Sequence, residues 1–223
     1  MKTARVSIFI PLALMLLTAL PATSQPSDFG NWFQYFGNAQ INSSWNWHNE
    51  VQYRNYNFVG DLEQLLLRTG VGYNLSENNN NLLVGYGYIL SENYLENGEK
   101  EQVNEHRTFL QFINRHNIKI VYFQHRIRYE QRWIESDFKM RFRYFIGVNI
   151  PLGKQEMTNN TYYFSAYNEI FLNLEEDVFD RNRLYGALGC KFSKVIRIEV
   201  GYLNQFLQNG GRDQLNLAAF VSF

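Results

Sequence analysis

Apolar and polar residues alternate from Ser43 to Phe58. Trp45, Trp47, Val51 and Tyr53 take odd positions, and Ser44, Asn46, His48, Glu50, Gln52 and Arg54 take even ones. A period of two marks a β-strand with one apolar and one polar face. Asp137 to Ile150 repeats the pattern in the opposite phase: Phe138, Met140, Phe142, Tyr144, Ile146, Val148 and Ile150 share a face, against Lys139, Arg141 and Arg143. Between Ile118 and Trp133, Val121, Phe123, Ile127 and Tyr129 oppose Gln124, Arg126, Arg128, Glu130 and Arg132, with Tyr122 and His125 out of step.

Weaker alternation covers most of the remaining chain. Leu65, Leu67, Val71, Tyr73 and Leu75 oppose Gln64, Arg68, Gly70, Gly72 and Asn74. Further strands are expected near 29–39, 81–91, 104–114, 161–173, 182–192, 195–207 and 213–223. Turn chemistry separates them at Ser76-Glu77-Asn78-Asn79-Asn80, Asn114-Arg115-His116-Asn117 and Asn209-Gly210-Gly211. Asp61 to Arg68 could form a helical turn, but its neighbours alternate. No repeat or linker divides residues 25–223, so one domain is expected.

Several of these strands exceed ten residues, the length a tilted strand needs to cross a bilayer, whereas strands of soluble domains usually run about five or six. Trp, Tyr and Phe crowd the apolar faces, while Arg, Glu and Gln fill the others. An apolar outside around a polar inside is the polarity of a transmembrane β-barrel. A lipocalin-like soluble barrel is the alternative, and its apolar side should face inward. Eleven strand segments can be counted. Because single-chain bacterial barrels have even numbers, twelve strands are expected, with ten as the alternative. Glu92 to Asn104, polar and the longest connection, is expected to be an exposed outer loop.

The first residues change where such a barrel belongs. Lys2 and Arg5 precede an apolar run from Val6 to Leu20, broken by Ser7, Pro11 and Thr18, and Pro21-Ala22-Thr23-Ser24 follows. This is the form of a cleaved signal peptide over residues 1–24, too short and too broken for a membrane anchor. Cys190 is too far away to serve a lipoprotein box. Removing 24 of the 223 residues leaves 199, with 19 basic and 21 acidic side chains. Such a near-neutral chain has no basic field for nucleic acid, and 17% aromatic residues exclude disorder. The single Cys excludes a disulfide framework. Outer-membrane location is the expectation, with lipid as surroundings. The alternating end, Leu215, Leu217, Ala219, Val221 and Phe223, resembles the C-terminal signal by which bacterial outer-membrane proteins engage their assembly machinery.

If the polar faces point inward, the lumen gathers a charged cluster: Arg54, Arg68, Arg107, Arg126, Arg128, Arg132, Arg141, Arg143, Arg183 and Arg197, with Glu50, Glu105, Glu130, Glu169 and Glu199. Lys139 and Lys191 fall in the same phase. This basic excess would favour an anionic solute, in a porin-like pore or a closed binding site, because arginine grips carboxylate and phosphate in a bidentate fork. A closed, salt-bridged structural or interaction barrel is the competing reading, since small barrels are filled by their own side chains. Catalysis is not expected. His48 is inward beside Glu50, His106 and His125 fall on outer faces, His116 lies in a turn, and Ser44 has no third partner. A hydrolase needing His48 is the remote alternative. No cofactor or metal site is indicated, and Cys190 sits on an apolar face.

Several motifs in order resemble a known family. Gly30-Asn31-Trp32 leads to Glu50-Val51-Gln52-Tyr53-Arg54, Leu67-Arg68-Thr69-Gly70-Val71-Gly72-Tyr73 and Glu105-His106-Arg107. Arg126-Ile127-Arg128-Tyr129-Glu130-Gln131-Arg132 and Arg141-Phe142-Arg143-Tyr144 follow. Tyr167-Asn168-Glu169, Asn182-Arg183-Leu184-Tyr185-Gly186 and Glu199-Val200-Gly201-Tyr202 complete the series. The whole resembles the bacterial family known as domain of unknown function 2490. That resemblance implies an outer-membrane barrel of Gram-negative bacteria, the Bacteroidetes among them, and supplies no catalytic residues.

Overall fold

Period-two alternation becomes eleven strands in a computed structural model, which describes residues 29–58, 60–76, 79–175 and 177–223. The signal peptide expected over 1–24 lies outside the described residues. The strands are β1 (Gly30–Gln40), β2 (Trp45–Asn55), β3 (Leu62–Ser76), β4 (Asn80–Tyr94), β5 (Lys100–Ile118) and β6 (Val121–Ile134). They continue as β7 (Asp137–Pro151), β8 (Thr161–Asn173), β9 (Phe179–Lys191), β10 (Ile196–Leu207) and β11 (Gly210–Ser222). Each pairs antiparallel with the next, and β1 closes on β11, giving one all-β barrel.

The strand number is eleven, neither the twelve nor the ten expected from parity. With an odd count, the first and last strands run in the same direction, so the closing ladder must be parallel. It is, from Gly30 opposite Gln214 to Asn38 opposite Ser222. A parallel ladder pairs slightly less well per residue but leaves no edge unsatisfied. The parity rule failed because it assumes an antiparallel seam.

Connections divide between two rims. One rim, where β1 begins, carries the β2–β3, β4–β5, β6–β7, β8–β9 and β10–β11 connections; the opposite rim carries the β1–β2 turn at 41–44 and the β3–β4, β5–β6, β7–β8 and β9–β10 connections. Glu92 to Asn104 is not a loop. Backbone pairing runs from Asn104 opposite Leu90 to Lys100 opposite Tyr94, leaving only 95–99 between the strands. The longest connection is 152–160, on the other rim. Asn114 to Asn117 is not a turn either: β5 continues to Ile118, with His116 paired to Phe123. The reversal comes at Lys119, whose φ of 55° supplies the left-handed residue a two-residue hairpin needs. Glu135, at φ 50°, does the same between β6 and β7.

Register fixes which face is which. Trp45, Trp47, Val51, Tyr73, Tyr86, Trp133, Phe138, Val200 and Tyr202 lie on the outside, all exposed. Aromatic pairs mark both rims on this surface: Trp45 meets Tyr73 edge-on at 4.9 Å, and Trp133 meets Phe138 at 5.4 Å. Charged residues turn to the interior, where Glu50, Arg68, Arg128, Glu130, Arg143 and Glu169 are all buried. The interior is not wholly polar. Trp32, Leu66, Ile89, Phe109, Tyr163, Phe171 and Leu203 are buried beside them.

Candidate functional site: an arginine-rich lumen

Burying a carboxylate or guanidinium costs several kcal/mol unless it is paired and hydrogen-bonded, so the interior is organised around its few acids. Glu130, at 0% exposure, receives Arg143 Nη1 at 2.6 Å and Arg141 Nη2 at 2.7 Å, with Arg128 Nη1 at 3.5 Å. Glu169 holds Arg126 at 2.7 Å and Arg143 at 2.6 Å, so Arg143 joins two carboxylates. Glu105 pairs with Arg107 and Arg132, both at 2.5 Å. Glu50 accepts from Arg68 Nη1 at 2.6 Å and lies 3.3 Å from His48 Nε2. Arg107–Glu105, Arg128–Glu130 and His48–Glu50 join positions two apart on one strand; the other links cross from strand to strand, because residues on one face of neighbouring strands lie close together. The barrel walls are thereby tied together from inside.

Aromatic rings provide the second half of the arrangement. Phe171 carries the guanidiniums of Arg143 at 4.3 Å, Arg183 at 4.6 Å and Arg141 at 5.1 Å. Arg128 lies over Phe109 at 4.5 Å, and Arg126 over Phe145 at 4.7 Å. A desolvated cation over an aromatic face gains about 2 kcal/mol. Sequence alternation assigned aromatics to the outer face and so missed Trp32, Phe109 and Phe171. Their even spacing from inward residues on the same strands, such as Phe171 two positions from Glu169, was the available signal.

Of the fifteen residues expected inside, thirteen surround this network. Arg197 and Glu199 lie apart, toward the rim where β11 ends, 4.0 Å from one another. There Glu199 accepts from the hydroxyls of Tyr163 at 2.9 Å and Tyr185 at 3.3 Å. Lys139, expected inside, is exposed, because its place at the start of β7 puts it at the rim. Asp180 was missed. It receives Arg141 Nη1 at 2.6 Å and also pairs with Arg181 at 3.1 Å.

Two arginines stand outside these pairings. Among the described residues, neither Arg54 nor Arg183 has a carboxylate within salt-bridge distance. Arg54 donates to Gln64 Oε1 at 2.7 Å and to Gln52 Oε1 at 2.6 Å, and Arg183 Nε donates to Gln205 Oε1 at 2.9 Å. Both lie over the indole of Trp32, at 3.8 Å and 4.9 Å. Trp32 is opposite Arg54 across the β1–β2 ladder. Arg183 approaches from β9, on the other side of the parallel seam.

Beside them a cavity of about 280 Å³ occupies the half of the lumen nearest the rim where β1 begins. Among the described residues, eight arginines and one acid, Glu105, line it. Arg68 is one of the eight, and its buried Nε has no hydrogen-bond partner among the described residues. Toward the middle of the barrel the lumen closes. Arg128 and Gln111 are 2% and 3% exposed, and Leu203 is 0%; a continuous water-filled channel would leave such lumen-facing side chains wet.

His48 touches Glu50, but Ser44 lies in the 41–44 turn, where its backbone N–H donates to Asn42 Oδ1 at 2.9 Å. His106 and His125 are on the outer surface, bonded to the hydroxyls of Tyr86 at 2.5 Å and Tyr144 at 2.9 Å. Among the described residues no group of three His, Cys, Asp or Glu is placed to hold a metal ion.

Comparison with known proteins gives three likenesses. An uncharacterised protein of Methylorubrum extorquens is 31% identical over 168 residues, covering 70% of this chain and 69% of that protein. Among solved structures, the β domain of the Bordetella autotransporter Brka is similar with a TM-score of 0.43 and 10% identity, over 78% of this chain and 82% of that one. The family described as "Protein of unknown function (DUF2490)" matches residues 29–216. With nearly every described strand inside that match, the chain belongs to the DUF2490 family.

Proposed function

We propose that this protein is an outer-membrane β-barrel that holds an anionic solute in a closed lumen instead of conducting ions. The observation that carries the membrane placement is the inverted polarity of the wall. Buried Arg and Glu face inward, while Val200, Val84, Leu188 and other large apolar residues face outward, the last two more than 60% exposed. A soluble barrel would leave that apolar band against water, far beyond the patch size soluble monomers tolerate. Lipid covers it at no such cost, and strands of 11 to 19 residues are long enough to span.

Holding, as opposed to conducting, is supported by the sealed middle of the lumen. A purely structural lattice would share that seal, but it would balance its charges. Here, among the described residues, ten arginines around the central network, Arg181 included, stand against five acids, Glu50, Glu105, Glu130, Glu169 and Asp180, and Arg54 and Arg183 pair with none of them. An anion would offset that excess.

Heat-modifiability tests the placement. Folded protein from the outer-membrane fraction should migrate faster unboiled than boiled on a detergent gel. Protein found only in the soluble fraction, without a shift, would overturn the membrane reading. Planar-bilayer recording then tests closure: no stepwise current is expected, and anion-selective steps would replace the closed reading with a pore.

A further inference from the structure

We propose that the cavity beside Trp32 is a binding site for a small polyanion, of the phosphate-ester or polycarboxylate class, held between Arg54 and Arg183. The proposal deepens the closed-lumen reading and rests on it for the ligand being retained, not passed through.

Three observations converge on this site. The first is charge. Arg54 and Arg183 are buried to 5% and 7% exposure, yet their side-chain partners among the described residues are neutral glutamines. A buried cation held only by amides lacks the counter-charge that would offset its desolvation.

The second is donor geometry. Among the described residues Arg183 donates a side-chain hydrogen bond only from Nε, toward Gln205, which leaves both terminal nitrogens of its guanidinium open to an incoming oxygen. Trp32 fixes the plane of both guanidiniums from β1, while Gln52 and Gln64 orient Arg54. Flat, pre-oriented guanidiniums match the paired oxygens of carboxylate or phosphate. Arg68, with its unpartnered Nε, adds a third cation to the wall.

The third is size and access. A volume of about 280 Å³ falls just under the range of drug-sized pockets, which selects a compact anion. Arg181, with its side chain 28% exposed, and Asn93, near the end of β4, put one side of the cavity at the rim. That side opens toward the rim, while Arg128 and Glu130, toward the middle of the barrel, are buried to 2% and 0% exposure.

The test uses the folded full-length barrel in detergent, titrated calorimetrically with inorganic phosphate and with citrate, against chloride at matched ionic strength. Phosphate, citrate or both should bind and raise the unfolding midpoint, and the arm that responds names the class. Arg183→Gln should weaken binding about tenfold or more, the loss of a charge-assisted hydrogen-bonding partner. Arg197→Gln, remote and near the other rim, should leave it within about twofold. Should Arg183→Gln fail to fold, Trp32 fluorescence in a W45F/W47F/W133F background reads the same titration with all arginines intact. Equal responses to chloride, or unchanged affinity in Arg183→Gln, would overturn the site. Ion current together with phosphate binding would overturn the closed lumen and leave the site standing, so the two failures are distinguishable.

Discussion

Arg128 and Arg143 stand directly opposite each other on β6 and β7, and one oxygen of Glu130 serves both, 2.6 Å from Arg143 and 3.5 Å from Arg128. Like charges placed opposite repel, and in a buried site the repulsion is screened little. Glu130 is what makes the pair tolerable. Its second oxygen is already taken by Arg141 at 2.7 Å. Glu130→Gln keeps the shape and removes the charge, leaving buried cations uncompensated, so a loss of about 3–5 kcal/mol is expected. Urea unfolding of the refolded barrel measures it. A loss below about 1 kcal/mol would mean that water reaches this site.

The outer face predicts a different sensitivity. Val200 is 49% exposed and paired with Leu188 on β9 and Leu217 on β11. Val200→Arg should cost about 2–4 kcal/mol if lipid surrounds it near mid-depth. In water the same change at an exposed position would fall within about 0.5 kcal/mol. Comparing unfolding midpoints in lipid vesicles separates the two cases.

Glycines on the inner face make room for rings from the facing strand. Tyr163 is opposite Gly189, and Phe109 is opposite Gly85. A Cβ at either glycine would fall on that ring. Gly189→Ala should therefore destabilise by about 1–3 kcal/mol through overpacking, and pairing it with Tyr163→Leu should recover part of the loss. Additive losses in a double-mutant cycle would contradict the contact.

At the rim where β1 begins, Lys100 bridges Asp61 at 2.6 Å and Glu92 at 3.0 Å, and donates to the carbonyl of Leu62 at 2.8 Å. With about a quarter of each side chain exposed, this cluster contributes little to global stability. Lys100→Met should shift unfolding by less than about 1 kcal/mol but speed proteolysis near 56–61, since local opening is governed by local contacts. Unchanged cleavage would show the segment is held otherwise.

Alternation made most of this barrel legible. A two-residue period places Glu50, Arg68, Glu130 and Arg143 on one side from local sequence alone, because a strand has only two faces. Closure was not legible. Whether β1 meets β11 in parallel depends on strand number and on residues some 180 positions apart, and no local pattern encodes it. The Asn114 to Asn117 cluster carried turn chemistry, yet the β6 ladder runs through all of it and β4 pairs with its first residue, Asn114. Cavity and partner assignments escaped for a related reason. That Arg54 faces glutamine while Arg141 reaches Asp180 is decided by side chains converging across the lumen, at distances no face assignment supplies.

Ten of the eleven ladders join neighbours in the chain, and the parallel seam alone joins the two extremities. Chain-neighbour hairpins can form in any order at small entropic cost, whereas the seam must wait for the largest loop closure in the molecule. Until then the protein is an open ribbon, with β1 and β11 each presenting a free row of backbone donors and acceptors. Trp32, on one of those margins, meets Arg183 only when the ring shuts. The contact that frames the cavity is thus made in the final act of folding, and an unclosed ribbon lacks it.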